Sequence, residues 1–366
     1  MHSSCAMSLL WKVLFYLVFF LLAAFGILTM IVTQTDVVVH RFRPKEPVQV
    51  YTSTEMVHDY PLPDTLKVLS WNIKFGGARL DFFFDCYGEQ VLMSEEEVMT
   101  NLKGLADYLT RADADIVFLQ EVDVKSDRVA GVDQVQWLLD HTPYSYGIYA
   151  SQWDAWVPAN GIGSVNSGNA ILSRWPLNNT QRHGLPLIAS QDSLTRIFYL
   201  RRNVLTASLE RKQGPPLHLL NTHLSAYAQD STRYHQLDIL YALADSLAQQ
   251  GPVLLGGDLN TLPPGTQKAH GFDDSVCEDE FVMDDYRREL GWLTPFYQTF
   301  QPAVALKKYN QNEAAYYSHT VNGRGWWNRK LDYLFSTLPW TPGGGRVHQD
   351  EQVLGVATMP LSDHAP

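Results

Sequence analysis

Asn72 in "SWNI", Glu121 in "LQEV", His223 in "NTHL", Asp258 and Asn260 in "GGDLN" and Asp332 in "LDYLF" each interrupt or end an apolar run, and "SDH" adds Asp363 and His364. Each has an ordinary structural use. Asn and Asp end strands through capping turns, a strand-end Glu is commonly solvated, and a lone His commonly satisfies a local partner. Asp332 is harder to place that way, because a carboxylate flanked by Leu331, Tyr333 and Leu334 needs a partner to stay ionised. Recurrence at one strand end after another points to convergence, since sheets and sandwiches gather ligands where strand ends meet. Residues two apart on a strand share a face, so Asp258 and Asn260 are expected side by side.

These residue types suit one chemistry. Oxygen donors such as Asn72 and Glu121 match Mg²⁺ or Mn²⁺, which take few protein ligands and keep several waters. No HExxH and no Cys/His cluster offers a zinc site, no GxxxxGK[ST] loop cradles a nucleotide, and no GxSxG elbow presents a serine nucleophile. Histidines and a carboxylate beside such an ion suit attack of water on a phosphorus ester. The ion polarises the phosphoryl oxygens, a histidine stabilises developing charge and a carboxylate aligns the water.

The elements that must position these groups read as a layered α/β domain. Near-continuous apolar runs at 67–73, 115–122, 168–173, 203–210, 217–224, 252–260 and 331–336 are expected as strands buried on both faces. A helix is expected over 94–110, opened by a capping box of Ser94 and Glu97. A second is expected over 231–249, with Leu237, Leu240, Leu243 and Leu247 on one stripe and a stop at Gly251-Pro252. A weaker one covers 133–141. Residues 265–330 are the least regular. They hold seven acidic residues between Asp273 and Asp285 with no Lys or Arg among them, a solvated face or a second cation site, and the adjacent pair Trp326-Trp327.

The chain has 366 residues, 45% of them hydrophobic, and a net charge of −11. That charge disfavours tight, sequence-independent binding to nucleic acid, which depends on Lys and Arg neutralising phosphates. Three scattered cysteines, Cys5, Cys86 and Cys277, form neither a disulfide framework nor a CxxC site. Residues 13–33 run for 21 positions without a charge. That matches a bilayer span better than a secretory h-region of about 7–15 residues. With no convincing A-x-A cleavage site, an uncleaved single-pass anchor is favoured over a removed signal peptide. Residues 1–12 form a short flank, Pro44, Pro47, Pro61 and Pro63 mark 34–66 as a tether, and 67–366 is the expected catalytic domain. Arg41, Arg43 and Lys45 outnumber Lys12 across the span. By the positive-inside rule this puts the domain inside, whereas a large domain after one N-terminal span is a common exported arrangement. The side stays open.

"SWNI", "LQEV", "GNAILSR", "NTHL", "GGDLNT", "LDYLF" and "SDH", in that order, resemble the endonuclease/exonuclease/phosphatase (DNase I-like) superfamily over about residues 66–366. The resemblance implies a four-layer α/β sandwich: two packed, mostly antiparallel sheets with helices on both outer faces. It also implies Asn72, Glu121 and Asp363 at a metal, His223 as a phosphate contact, and Asp258 and Asn260 orienting and deprotonating the water. Asp332 and His364 would form a carboxylate–imidazole dyad, and Asn169 would lie in the substrate pocket. Arg233 and Gln236 read as structural. Lys74 reads as a surface lysine before it reads as a phosphate contact. In the family a final strand follows SDH, whereas only Ala365 and Pro366 follow it here. Either the sequence is truncated or an edge strand is missing, and His364 is expected on a loose end.

The expected function is therefore a membrane-tethered, Mg²⁺- or Mn²⁺-dependent phosphoesterase, acting on a lipid headgroup such as that of sphingomyelin. A DNA endonuclease or exonuclease of the same fold is the alternative, and an inactive membrane-anchored binding module the third reading. The intact residue set argues against the last. Nothing in the sequence implies a protein partner.

Overall fold

The structure is a computed structural model that describes residues 3–34, 38–54, 61–83, 88–157, 161–226, 228, 230–272, 285–321, 326–349 and 354–366. Cys86, Cys277 and all but the last of the acidic residues between Asp273 and Asp285 lie outside the described residues, and the second cation site read there lies outside them too. Helix α1 (Ser3–Gln34) contains the apolar stretch Leu9–Met30, long and apolar enough to cross a membrane by length and composition.

The segment expected as a tether is partly sheet. Strand β1 (Lys45–Glu46) pairs with Arg182 and His183, and β2 (Gln49–Thr52) pairs with residues Tyr146–Tyr149. Its prolines fall outside these strands, so they cost no ladder hydrogen bond. Each is a very short strand at an outer edge of one sheet, which leaves another chain little ladder to pair with.

Strand β3 (Val68–Asn72) leads into α2 (Glu95–Ala112). The α2 capping box is formed: Glu97 N donates to Ser94 Oγ at 3.3 Å, and Ser94 N donates to Glu97 Oε2 at 2.8 Å. Strand β4 (Ile116–Asp123) and α3 (Gln134–His141) follow, the latter capped by Asp133. Then come the hairpin β5 (Tyr146–Val157) and β6 (Gly163–Ser173), strand β7 (Asn178–Gly184), the short α4 (Ser193–Phe198), β8 (Asn203–Leu209) and β9 (Leu217–His223). Helix α5 (Thr232–Ala248), β10 (Val253–Asp258), α6 (Thr294–Thr299), β11 (Gln301–Pro302), α7 (Leu306–Gln311) and β12 (Asp332–Ser336) complete the described α-helices and strands.

One sheet has the order β2-β5-β6-β4-β3 and the other β1-β7-β8-β9-β10-β12-β11. Neighbours are antiparallel except β3/β4 and β9/β10, so the expected mostly antiparallel pair of sheets is present. Period-two alternation explains the layering. Ile116 and Phe118 of β4 meet Leu205, Leu219 and Leu254 of the other sheet, while Val117 and Leu119 point the opposite way, under α2 and α3. Leu220, Val253 and Leu255 likewise pack beneath α5. Three apolar clusters thus separate four layers.

Candidate active site

In one sheet, β9, β10 and β12 are registered so that Asp258 lies opposite His223 on one side and Asp332 on the other. Three sequence-predicted residues therefore stand in one row across adjacent strand ends. In the other sheet, Asn72 pairs with Gln120, and the β4/β6 register shifts between Leu119 and Val122. That bulge turns Glu121 out of the ladder at the level of Asn169. The two rows face one another. Between the sheets just below them, Gln120 Nε2 donates to Asn221 Oδ1 at 2.7 Å, and Asn221 Nδ2 donates to Leu119 O and Ala170 O, both at 2.8 Å. Buried amide-to-backbone bonds of this kind fix how the sheets sit on each other.

Local backbone explains two further placements. Gly257 has φ +143°, and a Cβ there would lie 2.0 Å from Thr222 O, so only glycine lets β10 close against β9 before Asp258. Asn260 lies past the strand end with φ 49°, so shared strand face is not what joins it to Asp258. Asn260 N donates to Asp258 Oδ1 at 2.9 Å in an Asx-type turn, and Asn260 Nδ2 donates to Leu224 O at 3.1 Å. The expected neighbours are correct, but a turn brings them together.

Asn72 Nδ2 donates to both Glu121 Oε1 and Asp258 Oδ2, at 3.1 Å each, tying the two rows together. Its Oδ1 accepts from Lys74 N at 3.0 Å. Around Asp258 Oδ2 stand His223 Nε2 at 3.4 Å and His364 Nε2 at 3.6 Å. His364 Nδ1 lies 2.8 Å from Asp332 Oδ2, which supplies the partner that Asp332 required. His364 is not on a loose end. Only 4% exposed, it is pinned by Trp71 Nε1 donating to its carbonyl at 2.8 Å and by Ala365 N donating to Ser318 O at 2.7 Å. Ser362 Oγ, donating to Asn72 O at 2.7 Å, brings the same segment against β3 and sets Asp363 beside the cleft.

The electrostatics follow from this packing. Burial pushes Asp258 up to about 7 against the pull of His364. Burial would lower His364, but the carboxylates of Asp332 and Asp258 outweigh it and hold the imidazolium up to about 10. Burial, Arg202 and His364 together hold His223 well below the ordinary histidine range, so it is neutral. Glu121 lies deep in the cleft yet is reached by solvent, its side chain 32% exposed. Burial and the neighbouring charge of Asp363 raise it.

Glu121, Asp363 and the amide of Asn72 could hold a hard divalent cation. The repulsion that lifts Glu121 is what a cation between the two carboxylates relieves, and the donor set is oxygen-rich. The amide would turn to offer Oδ1, releasing Lys74 N. Two tighter gatherings, His319–Asp363–His364 and Asp258–Asp332–His364, place ligand atoms within 4.8 Å of one another. Both depend on His364, whose Nδ1 is committed to Asp332.

Among the described residues, the buried polar atoms without a hydrogen-bond partner include His223 Nδ1, Asn169 Oδ1 and Asp332 Oδ1. Such atoms are costly unless a ligand or water meets them. Asn169 Nδ2 itself donates to Asn203 Oδ1 at 3.3 Å.

Two neighbours of the site, His319 and Arg202, carry no signal in the sequence, whereas Lys74, Arg233 and Gln236 do. The ring of His319 lies 4.3 Å from that of His364, in a segment without periodicity. Arg202, buried and donating to Gln152 Oε1 at 2.9 Å, carries a charge felt by both Glu121 and His223. Lys74 is buried rather than on the surface, donates to Leu80 O at 3.2 Å, and lowers Asp363 by its charge. Arg233 and Gln236 hold the loop after His223 through Ser225: Arg233 Nη1 donates to Ser225 O at 2.8 Å, and Gln236 Oε1 accepts from Ser225 N at 3.0 Å.

A double brace joins the turn after Asn72 to the bulge after Glu121. Arg128 makes two bonds to Asp123, at 2.7 and 2.8 Å, and stacks 3.8 Å over Phe75. Gln134 accepts from Asp123 N at 2.9 Å and donates to Phe75 O at 2.7 Å. Lys74, Phe75 and Glu121 all have positive φ, a strain that persists only where surroundings over-determine it. We expect Arg128→Met to weaken binding of Mn²⁺, followed by calorimetry, by about 10–100-fold, as outer-shell losses typically do. Unchanged affinity in a folded variant refutes this role.

The profile of the Endonuclease/Exonuclease/phosphatase family matches residues 69–364. An inositol phosphosphingolipids phospholipase C of Schizosaccharomyces pombe is 26% identical over 189 residues, 49% of this chain and 40% of that protein, so this chain spans well under half the length of that relative. In fold, the chain resembles the crystal structure of an endonuclease/exonuclease/phosphatase from Beutenbergia cavernae, with TM-score 0.51 and 19% identity over 82% of this chain and 69% of that one.

Proposed function

We propose, from the premise that the chain belongs to the endonuclease/exonuclease/phosphatase family, that this hydrolase is a membrane-tethered, divalent-metal-dependent phosphoesterase acting on a lipid headgroup. The observation that carries the chemistry is the row His223–Asp258–Asp332 facing Asn72, Glu121 and Asn169, with His364 locked between Asp332 and Asp258.

Asp258, lifted to about 7, is matched to accept a proton from water near neutrality, where general bases act best. The Asn260 N–H holds Asp258 Oδ1 in place. His364, a lasting imidazolium, stabilises negative charge on the phosphoryl group through Nε2, with Asp332 fixing its ring. Neutral His223 offers its unpartnered Nδ1 to a phosphoryl oxygen, and Asn169 presents its unpaired Oδ1 to a donor on the substrate. Asn72, Glu121 and Asp363 would hold Mg²⁺ or Mn²⁺, which supplies polarisation of the phosphoryl oxygens when bound.

The lipid class rests on α1 and on the likeness to a protein named for phosphosphingolipids. The test is a panel of sphingomyelin, phosphatidylinositol phosphates and plasmid DNA, each with and without EDTA. We expect lipid hydrolysis that EDTA removes and added Mg²⁺ or Mn²⁺ restores. Hydrolysis indifferent to chelation defeats the metal assignment, and preferential cutting of DNA defeats the lipid one.

A further inference from the structure

The chain between α1 and the domain is short and clasped. Residues 38–40 add to the outer end of β5: Trp156 N donates to Val38 O at 2.7 Å, His40 N donates to Asp154 O at 2.8 Å, and Val39 bridges Ala155. Val39 and Ala155 are buried together in a satellite cluster with Val157, Ile162 and Val165. From the last residue of α1, Gln34, to Val38 the chain can reach at most about 14 Å. A helix long enough to cross a bilayer and the β5–β6 hairpin are therefore held within a few residues of each other.

That hairpin also belongs to the site. Gln152 of β5 donates to His223 O at 3.3 Å and binds Arg202, and Ala150 pairs with Asn169. Four residues further, about 13 Å along a strand, Trp156 meets the clasp. In β6, Asn169 lies level with the site, and residues 163–168 run on past it, so the hairpin projects beyond the strand-end rows on the side where the cleft opens. Trp156 there is 53% exposed, and Trp326, on the segment leading into Asp332, is 58% exposed. Exposed tryptophan is the side chain most suited to a membrane–water interface, its ring apolar and its N–H wet.

We propose that the clasp of residues 38–40 holds the mouth of the cleft against the bilayer entered by α1, so that the enzyme hydrolyses phosphoester headgroups of its own membrane in preference to those of another. This rests on the phosphoesterase reading and on α1 as an anchor. A headgroup in the same bilayer is presented at the high effective concentration that a short link provides, and a long flexible link dilutes that advantage.

The experiment uses the full chain in phosphatidylcholine proteoliposomes with Mg²⁺. Labelled sphingomyelin is placed either in the same vesicles or in separate protein-free ones, and bis(4-nitrophenyl) phosphate reports soluble diester cleavage. The wild type should cleave same-vesicle lipid at least about tenfold faster than separate-vesicle lipid. A Gly/Ser insert of about 20 residues between Thr35 and Asp36, with an r.m.s. span near 25 Å, should lower the same-vesicle rate about tenfold. Trp156→Ala with Trp326→Ala should lower it in the same direction. In both variants the soluble diester rate should stay within about twofold of wild type, because neither touches the site rows. Equal same- and separate-vesicle rates in the wild type, or an insert that changes neither lipid rate, overturns the proposal while leaving the phosphoesterase reading intact. Loss of all three activities in the folded wild type overturns that reading and this one with it.

Discussion

Asp258→Asn should lower kcat about 10²–10⁴-fold, the usual contribution of a positioned acid–base group, without lowering Tm. The side chain is 1% exposed, and its carboxylate meets Asn72, the Asn260 N–H, and two imidazoles. Asparagine keeps the shape and can still accept from Asn260 N, but it loses the proton-accepting oxygen pair. It also removes a carboxylate that burial makes reluctant to ionise. Replacing such a group commonly stabilises a fold while disabling its site. Steady-state kinetics on the soluble diester, beside a melting curve, check both halves. Retention of more than about a tenth of the activity would falsify the role given to Asp258.

His364→Ala and Asp332→Ala should each cost at least about a hundredfold, and the double variant no more than the worse single. The reason is geometric. His364 Nδ1 lies 2.8 Å from Asp332 Oδ2, so either removal disables the same unit. His364→Ala leaves the backbone anchors from Trp71 and to Ser318 in place, so near-native circular dichroism is expected. Asp332→Ala vacates the partner of a buried imidazolium and should also cost some stability. Losses that multiply in the double variant would show that the two residues act separately.

Much of this domain is legible in its sequence, because the strands of the core are near-continuous apolar runs and α2 carries its own start signal. Asn72, His223, Asp258 and Asp332 are terminal residues of their strands, as their positions in the apolar runs imply, whereas Glu121 lies inside β4 and is turned out by a bulge. What could not be read is what depends on pairing. Strand β5 mixes aromatics with polar residues across a bulge, and β7, "NNTQRHG", has no apolar residue at all. Neither shows the periodicity of a buried strand, yet β5 joins the site to the clasp. The prolines of 34–66 imply a tether, because proline marks irregular chain whether or not short strands lie between. Asn260 reaches Asp258 through a left-handed turn that strand alternation does not anticipate. His319 depends on a bridge to His364 across a region without pattern.

The bond from Trp71 Nε1 to His364 O joins positions 293 residues apart, and every other member of the cleft, from Asn72 to Asp363, lies between them in the sequence. Contacts of such long sequence separation form slowly, because the loop entropy of closing them is lost before they reward it. Local pieces such as α2 with its capping box can be native-like while the cleft does not yet exist. Catalysis is then the last property the folding chain acquires, and recovered activity measures completed topology where recovered helix content does not.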